Sequence, residues 1–380
     1  MDNIIKHYQS PSYIFNIDIL KDRIAFLKSH LPSRIQLCYA MKANSFVVKE
    51  IQDDVERIEV CSPGEFFICD KLGVNQTKLV ISGVYKTPEI IEEMMQKNDI
   101  GIYTVESLQQ FHLLEKLSFK YKKKIHVLLR LTSGNQFGME EKEVRQILSE
   151  SYENIHIQGI QYFSGTQKTS LKRLEKEIKR LDQFLMEYEN LNLELEYGAG
   201  FPVYYYQDQD FNEIDFLVGF SKIIEQMNYQ GSIVLELGRS MAASCGMYLS
   251  RVVDMKTIKN GNYAILDGGM HQIVYYGQMM AMKQPYYEVY PKRHHGHIED
   301  WNLCGSLCSI NDILIKHVAI DSLNIGDIFV FKNTGAYCMS EGISLFLSRE
   351  LPRVYCMKND QLILMRDSYE TYHWNMQKEV

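Results

Sequence analysis

Short runs of β-branched and aromatic residues alternate with longer amphipathic stretches between Ile35 and Gly238. The short runs predict eight strands, at Ile35–Ala43, Ile58–Ser62, Lys78–Gly83, Ile100–Val105, Ile125–Leu131, Ile157–Phe163, Leu193–Gly200 and Ser232–Gly238. The longer stretches predict helices, at Pro63–Leu72, Thr87–Lys97, Val105–Leu117, Glu140–Leu148, Ser170–Asn190 and Phe211–Asn228. Eight strand–helix units over about 220 residues are typical of an α/β protein with a (β/α)8 barrel.

The pattern changes after Met247, where helical periodicity fades. Short strand-like runs follow, at Leu249–Met255, Tyr263–Asp267, His317–Ile320, Ile328–Phe331, Arg353–Met357 and Gln361–Arg366. Turn signals such as Asn260-Gly261 and Gly326-Asp327 separate several of them. We therefore predict a barrel domain over residues 28–247, followed by a mainly antiparallel β domain over residues 248–380.

Composition and charge exclude several classes of partner. The 380 residues carry a net charge of −7, and the basic residues are dispersed, so no nucleic-acid partner is expected. No apolar stretch approaches the roughly 20 residues that span a bilayer. The polar segment Met1–Ser10 is unlike a signal peptide. The eight cysteines are scattered, and Cys304 and Cys308 have only a weak metal-type spacing. We expect a cytoplasmic protein without a membrane partner or a metal.

The first predicted strand ends in a lysine, Lys42, within the motif Tyr39–Asn44. Active sites of α/β barrels lie at the C-terminal ends of the strands. A lysine in an apolar strand is rare, and burial disfavours its ammonium form and leaves the amine free as a nucleophile for a Schiff base. The alternative is a lysine at a strand edge whose amine extends to solvent.

Two glycine-rich segments follow the last two predicted strands, Gly198–Pro202 and Glu236–Ser240. Loops at this place often form the phosphate site of a barrel, because glycines let backbone amides approach a phosphate. Arg239 adds a charge-assisted donor. Either segment alone is typical of an ordinary turn, but their joint placement predicts a phosphate site.

Glu236 lies at an inward-facing strand end, where a carboxylate needs a partner. In a site for pyridoxal 5′-phosphate (PLP) that partner is the pyridine nitrogen, and protonation of this nitrogen makes the ring an electron sink. The alternative is an ion pair between Glu236 and either Arg239 or Arg130.

Several short motifs, in order along nearly the whole chain, resemble those of the fold-type III PLP-dependent decarboxylases. This family includes diaminopimelate, ornithine and arginine decarboxylases, and it has an alanine racemase-like barrel. The motifs are Tyr39–Asn44, Val60–Glu65, Gln136–Gly138, Gly198–Phe201, Glu236–Arg239, Asp267–Met270, Leu307–Ser309 and Gly335–Tyr337. The resemblance implies PLP as cofactor and a homodimer with shared active sites. It also implies that Tyr13–Ile17 joins the β domain, which then includes residues 1–27.

The resemblance also implies roles for individual residues. Lys42 resembles the Schiff-base lysine, and Cys308 resembles the cysteine that reaches across the dimer interface to protonate the carbon that has lost CO2. Cofactor contacts are implied for Glu65, Arg130, Phe163, Thr166, Gly198, Gly200, Glu236, Gly238, Arg239 and Tyr337. Substrate contacts are implied for Arg239, His271, Cys308, Ser309, Asp312 and Tyr337.

The chain departs from the family pattern at places that bear on the substrate. Phe163 takes the place of a histidine that stacks on the cofactor, and Ser309 takes the place of an acid that binds a distal amine. Diaminopimelate, ornithine and lysine therefore fit poorly unless Asp312 supplies the charge. Glu59 stands where the ornithine enzymes have aspartate. The pattern is more similar to a biosynthetic branch that acts on antibiotic, siderophore or carrier-linked amino acids.

The sequence thus predicts PLP-dependent decarboxylation of an L-amino acid or amino-acid conjugate, free or bound to a carrier. An amino-acid racemase is an alternative, although the Cys308-Ser309 segment favours a decarboxylase. A catalytically weak PLP-binding regulator is a second alternative, which the residues Phe163 and Ser309 keep open. In a third, the lysine and the glycines are structural and the barrel binds something else.

Overall fold

The structure is a computed structural model that describes residues 9–97, 99–294 and 296–378. The chain divides into two compact units. As far as it is described, the β unit comprises residues 9–20, 204–211 and 242–378, and the barrel unit comprises Lys21–Val203 and Asn212–Met241. These units differ in detail from the predicted ranges, since residues 21–27 belong to the barrel unit and residues 204–211 and 242–247 to the β unit. Residues 1–8 of the predicted β domain lie outside the described part.

The strands and helices follow one another in the order that the sequence pattern predicts, with additions. The strands are β1 (Ser12–Asn16), β2 (Ile35–Ala40), β3 (Arg57–Val60), β4 (Leu79–Ile81), β5 (Ile102–Val105), β6 (Ile125–Leu131), β7 (Ile155–Phe163), β8 (Glu194–Gly198), β9 (Ile233–Leu237), β10 (Gly246–Ile258), β11 (Gly261–Leu266), β12 (Tyr287–Tyr290), β13 (Ile298–Cys304), β14 (Ile313–Asp321), β15 (Ile328–Lys332), β16 (Arg353–Lys358) and β17 (Gln361–Arg366). The helices are α1 (Ile17–His30), α2 (Val48–Ile51), α3 (Pro63–Lys71), α4 (Pro88–Lys97), α5 (Leu108–Tyr121), α6 (Glu141–Leu148), α7 (Leu171–Met186), α8 (Glu213–Glu225), α9 (Arg239–Ala242) and α10 (Tyr372–Asn375).

Strands β2 to β9 form a closed barrel of eight parallel strands, which confirms the predicted fold. The barrel closes where β9 pairs with β2, and Cys38 of β2 lies opposite Glu236 of β9. A cluster of buried residues packs together from five of the strands, namely Cys38, Val80, Ile102, Leu128 and Val234. Because side chains two residues apart share a face of a strand, Val234 and Glu236 project from the same face of β9.

Side-chain caps fix where several barrel helices begin. Ser62 accepts a hydrogen bond from the backbone of Glu65 at the start of α3, where Pro63 occupies the first turn. Ser107 and Ser170 cap α5 and α7 in the same way. Each cap satisfies a backbone N–H that has no partner within the helix. These helices therefore begin directly after the strand-end loops that carry the candidate site.

The β unit is built on a nine-stranded sheet in the order β14-β13-β11-β10-β1-β16-β17, with β15 paired to β10 and β12 paired to β15. Most pairs are antiparallel, but β1 pairs in parallel with β16, and β11 with β13. Strand β1 lies between β10 and β16, so Ser12–Asn16 is part of the sheet of the β unit.

Two further properties concern the whole described chain. All eight cysteines are free thiols, and Cys308 is exposed. Within the described ranges, no helix is both long enough and apolar enough to cross a membrane.

Candidate active site

The Lys42 amine contacts two buried carboxyl groups. Strand β2 ends at Ala40, so Lys42 lies in the short helical turn Met41–Ala43 beyond it and not within the strand. Its Nζ is 2.6 Å from Glu59 Oε2 and 3.2 Å from Glu236 Oε1. The side chain is 38% exposed, so the amine is open to a ligand on one side. These contacts are not those of a lysine that extends to solvent along a strand edge.

The two carboxyl groups, Glu59 on β3 and Glu236 on β9, have opposite protonation tendencies. Burial favours the neutral form of both groups, but the Lys42 ammonium holds the pKa of Glu59 well below its ordinary value. Burial and the Glu59 carboxylate raise the pKa of Glu236 to about 8. At neutral pH the pair therefore shares a proton, and Glu236 is its preferred site.

Of the alternative partners of Glu236, Arg130 is engaged by another acid. Among the described residues, the ion-pair partner of Glu236 is Lys42. Arg130, near the end of β6, donates instead to Glu106, with 3.0 Å between Nη1 and Oε1. Its guanidinium also lies 4.9 Å from the centre of the Phe137 ring. Arg130 therefore supports the neighbouring strand end and the loop that follows β6.

Glu65 and Cys61 support the floor of the site beside Lys42. Glu65, in the first turn of α3, accepts a hydrogen bond from the Cys61 backbone at 2.6 Å. The Cys61 thiol lies 3.7 Å from the Lys42 amine. Burial raises the pKa of both the Glu65 carboxyl group and the Cys61 thiol.

Three glycines allow backbone segments to approach closely at the ends of β8 and β9. A Cβ atom at Gly198 would lie 2.4 Å from the Phe163 ring, and one at Gly238 would lie 3.0 Å from the Cβ of Ala43. Gly200 has φ +60°, and a Cβ atom there would lie 2.2 Å from the carbonyl oxygen of Gly165. Only glycine fits this last position without strain. The ends of β8 and β9 are therefore packed closely against the neighbouring segments, without room for a side chain at these three positions.

The remaining predicted phosphate-side residues of the barrel lie in the same region. Thr166 is half-buried in the loop after β7, and Arg239 is buried directly after Gly238. The structure thus places all ten predicted barrel-unit residues at or just beyond the C-terminal strand ends, namely Lys42, Glu65, Arg130, Phe163, Thr166, Gly198, Gly200, Glu236, Gly238 and Arg239.

Lys168, which the sequence analysis did not identify, binds the loop between β7 and α7 to neighbouring residues. Its side chain is fully buried. The amine is 2.9 Å from Glu177 on α7, 3.1 Å from Ser164 and 3.3 Å from the hydroxyl of Tyr197. Its backbone N–H donates to Gly200 at 2.9 Å. Since a buried lysine needs such partners, this cluster holds the β7–α7 loop against β8.

Asp312, a predicted substrate contact in the β unit, accepts hydrogen bonds from backbone amides of two loops. Oδ1 accepts a hydrogen bond from Met270 at 2.7 Å, and Oδ2 accepts one from Leu307 at 2.8 Å. Cβ atoms at Gly269 or Gly305 would lie within about 2.5 Å of the carboxylate. The Asp312 carboxylate therefore connects two loops of the β unit, and its contact with a substrate stays a prediction.

The other predicted β-unit residues lie on loops. His271 is buried, and burial together with the Arg349 guanidinium lowers its pKa to about 4. Cys308 is exposed, whereas Ser309 is half-buried and its hydroxyl accepts a hydrogen bond from Asn311 at 3.3 Å. Tyr337 is half-buried, has φ +64° and accepts backbone hydrogen bonds from residues 340 and 341. Within the described residues, no cluster of histidine, cysteine or acidic side chains is suited to a metal.

Two further residues near Glu236 were missed by the sequence analysis. Gln161 on β7 and Glu196 on β8 are buried and lie in a hydrogen-bonded chain with Glu236. A local signal for the acids exists, because Glu59, Glu196 and Glu236 each stand between two apolar residues in a short strand. Gln161 carries the same signal, since it stands between Ile160 and Tyr162 in β7.

Comparison with known families agrees with this site. The family model described as "Pyridoxal-dependent decarboxylase, C-terminal sheet domain" matches residues 38–335. This chain belongs to the pyridoxal-dependent decarboxylases. The match extends from the strand before Lys42 to Gly335, so it includes the barrel motifs and the β-unit motifs Asp267–Met270 and Leu307–Ser309.

Relatives within the pyridoxal-dependent decarboxylases are distant but similar along almost their full length. An L-glutamyl-[BtrI acyl-carrier protein] decarboxylase of Niallia circulans is 25% identical over 96% of this chain and 92% of its own. A 2-[(L-alanin-3-ylcarbamoyl)methyl]-2-hydroxybutanedioate decarboxylase of Staphylococcus aureus is 27% identical over 90% and 92%. The crystal structure of diaminopimelate decarboxylase from Helicobacter pylori superposes with a TM-score of 0.83, at 21% identity over 98% of both chains.

The barrel site fits the cofactor of the pyridoxal-dependent decarboxylases. PLP needs an amine for its aldehyde, an acidic partner for its ring nitrogen and a cradle for its phosphate. Lys42 offers the amine, and the Glu236 carboxyl group lies 3.2 Å from it. At Gly200 and Gly238 the backbone carries no side chain, which lets its amides approach a phosphate, and Arg239 follows directly.

Proposed function

We propose that the chain catalyses decarboxylation of an L-amino acid or an amino-acid conjugate, with PLP attached through the Lys42 amine. The contact of this amine with Glu59 and Glu236, at the C-terminal end of a parallel barrel, is the main support. A structural lysine would need one counter-ion. The Lys42 amine instead contacts the Glu59 carboxylate and the Glu236 carboxyl group, and the latter tends to keep its own proton. Such separated proton affinities are typical of acid–base sites.

Each residue of the proposed site has a separate role in the reaction. When bound, PLP accepts the electron pair that is released as the bond between Cα and the carboxylate breaks. Glu236 shares a proton with the ring nitrogen, and Glu59 takes up charge changes at the Lys42 amine. Phe163 offers its face to the ring, because a phenyl group can stack but cannot titrate. Cys308 of a second subunit donates the proton that replaces CO2 on Cα.

The substrate class follows from the residues near Cys308. Ser309 is not charged, and Asp312 is already bound by two backbone amides. A distal ammonium would therefore lack a counter-ion from this segment, and its burial without one is costly. The Niallia circulans and Staphylococcus aureus relatives are named for conjugated substrates, a carrier-bound glutamyl group and a carbamoylmethyl hydroxybutanedioate. We therefore propose a conjugated amino acid, free or bound to a carrier protein, over a free diamino acid.

Turnover in heavy water tests the reaction. The PLP-loaded protein would be incubated with L-amino acids, diamino acids and their acyl and citryl conjugates, and the products followed by mass spectrometry and proton NMR. We expect loss of CO2 with one deuteron at the former Cα, and faster turnover of a conjugate than of lysine or ornithine.

Other results would overturn parts of the proposal. Deuterium exchange at Cα with the carboxylate intact would show a racemase. Bound PLP without turnover of any substrate, including carrier-linked ones, would favour the regulator. A protein that binds no PLP would exclude all three PLP-dependent functions. Fastest turnover of a diamino acid would refute only the substrate class.

A further inference from the structure

A chain of polar side chains continues behind Glu236 into the barrel interior. Gln161 is buried on β7, and its Nε2 is 3.3 Å from Glu236 Oε2 and 3.0 Å from Glu196 Oε1. An amide nitrogen carries two hydrogens, so Gln161 can donate to both acids at once. These two hydrogen bonds fix the orientation of the amide and connect the two carboxyl groups.

Arg57 on β3 ends the chain on the far side of Glu196. Its Nη1 is 3.4 Å from Glu196 Oε2. The same guanidinium forms a two-point ion pair with Glu194, in which Nη2 is 2.8 Å from Oε2. The contacts therefore run without a break from Lys42 through Glu236, Gln161 and Glu196 to Arg57.

The chain contains more acids than bases. Four buried carboxyl groups belong to it, those of Glu59, Glu194, Glu196 and Glu236. Within the described part of the chain, the ion pairs of these four acids are made by only two basic side chains, Lys42 and Arg57. Buried charges without counter-ions are neutralised by protonation. The barrel interior therefore retains protons at neutral pH.

The neighbouring thiols add no positive charge, and burial lowers the pKa of Lys86, whose amine interacts electrostatically with Glu59, to about 8. The thiols of Cys38 on β2 and Cys61 beyond β3 face these acids, and burial raises the pKa of both, so they stay neutral. Burial also raises the pKa of Glu196 to about 7, with the Glu59 and Glu194 carboxylates acting in the same direction and Arg57 against it. Glu196 and Glu236 are thus the two acids that most readily hold a proton.

We propose that Gln161, Glu196 and Arg57 are positioning residues for Glu236. Gln161 orients its carboxyl group, and the surplus of acids keeps a proton on the chain for the ring nitrogen of the cofactor. Glu236 would hold the ring nitrogen of a bound cofactor, and it would give up this proton to that nitrogen and remain as its carboxylate partner. This inference rests on the proposed contact between Glu236 and PLP.

Infrared spectroscopy of the full-length protein tests this inference without any substrate. The band of protonated carboxyl groups would be followed as a function of pH, before and after loading with PLP, in the wild type and in Gln161→Met, Glu196→Gln and Gln158→Met. Gln158 serves as the control, since it lies on the same strand but donates at 3.0 Å to Glu194, the acid of the chain that Arg57, Glu196 and Gln161 separate from Glu236.

The variants are expected to move the titration in opposite directions. In the wild type, a protonated carboxyl band persists at neutral pH and diminishes when PLP binds. Gln161→Met removes a donor from both acids, so its midpoint rises by about one pH unit. Glu196→Gln removes a repelling charge, so its midpoint falls by about one pH unit. Gln158→Met leaves the midpoint near that of the wild type.

Several results would refute the inference. One is the absence of a protonated carboxyl band at neutral pH in the wild type. Another is a shift of the midpoint in the same direction in Gln161→Met and Glu196→Gln, or an equal shift in Gln158→Met. A general loss of packing in the barrel, without a specific effect on Glu236, would produce either result. If Gln161→Met does not fold, the near-isosteric Glu196→Gln decides alone. Failure of the proposed function is distinguishable, since it appears as missing PLP binding or missing turnover while the band before loading is unaffected.

Discussion

The chemistry of this protein is concentrated on one amine between two unlike carboxyl groups. Lys42 lies 2.6 Å from Glu59 and 3.2 Å from Glu236, and both acids are buried. The three groups cannot all be charged at low cost, because two acids face one base in a region with little water. The raised pKa of Glu236 makes this group the preferred site of a proton. Glu236 is also the group proposed to face the cofactor ring.

Replacement of Lys42 provides the most direct residue-level prediction. Lys42→Ala should remove the visible absorption of bound PLP and reduce turnover by at least about a thousandfold, because the proposed Schiff base loses its amine. Absorption spectra and CO2 release measure both effects. Lys49→Ala is the control, since its amine donates to the Gly73 carbonyl oxygen on the surface of the barrel unit. Retained turnover in Lys42→Ala would refute the proposed mechanism.

His271 gives a pH-dependent prediction at the same scale. Its pKa is lowered from 6.5 to about 4 in the folded protein. As the pH falls from 6.5 towards 4, His271 becomes protonated in the unfolded chain but stays neutral in the folded chain. The free energy of unfolding therefore decreases in this pH range. The loss amounts to at most about 3 kcal/mol.

Denaturant unfolding at a series of pH values measures this effect. The acid sensitivity of His271→Gln should be smaller than that of the wild type. His112→Gln, which replaces an exposed histidine of α5, should retain the wild-type slope. Equal slopes in all three proteins would contradict the role of His271.

At the scale of elements, the loops after β7, β8 and β9 are shaped by close backbone approaches. Lys168 fastens the β7–α7 loop through Glu177 and Tyr197, and Gly200 allows that loop to touch the end of β8. A single helix or strand does not require glycine at a point of close backbone contact. The requirement arises because two loops and a proposed phosphate share one small space.

Gly200→Ala tests this arrangement. The added methyl group would meet the Gly165 carbonyl oxygen and would also strain a backbone with φ +60°, so PLP affinity should fall roughly tenfold or more. Gly134→Ala is a matched control, because Gly134 has φ +89° and no atom within 4 Å of its would-be Cβ. It should lower stability by about 1 kcal/mol and leave PLP affinity unchanged. Titration of PLP by absorbance separates the two outcomes.

At the scale of the whole molecule, the proposed roles of Lys42 and Cys308 predict an active site shared between two subunits. Lys42→Ala and Cys308→Ala should each be impaired when pure. Mixed after reversible dissociation, they should regain about one quarter of the wild-type activity, because half of the dimers are then mixed and each has one intact site. Light scattering checks that a dimer forms. No gain on mixing of confirmed dimers would show that the two residues serve the same site from one subunit, or that Cys308 is dispensable.

The sequence by itself determined the barrel and much of the site. All eight barrel strands were predicted from apolar runs, and Lys42, Gly200 and Glu236 were identified from their positions at predicted strand ends. These features are local, because the periodicity of apolar residues reports burial and secondary structure directly. The missed strands β12 and β13 have weaker apolar runs, and their places in the sheet depend on pairing with β15, β11 and β14.

Only the tertiary structure decided which groups meet. Glu59 and Glu236 are far apart in sequence. The pairing of β3 with β2 brings Glu59 to Lys42, and closure of the barrel at β9 brings Glu236 there. The same is true of Gln161 and Glu196, and of Asp312, whose carboxylate is bound by amides from two loops. Local patterns show that a polar residue is buried, but the identity of its partner depends on contacts between distant segments, which are fixed only when the fold closes.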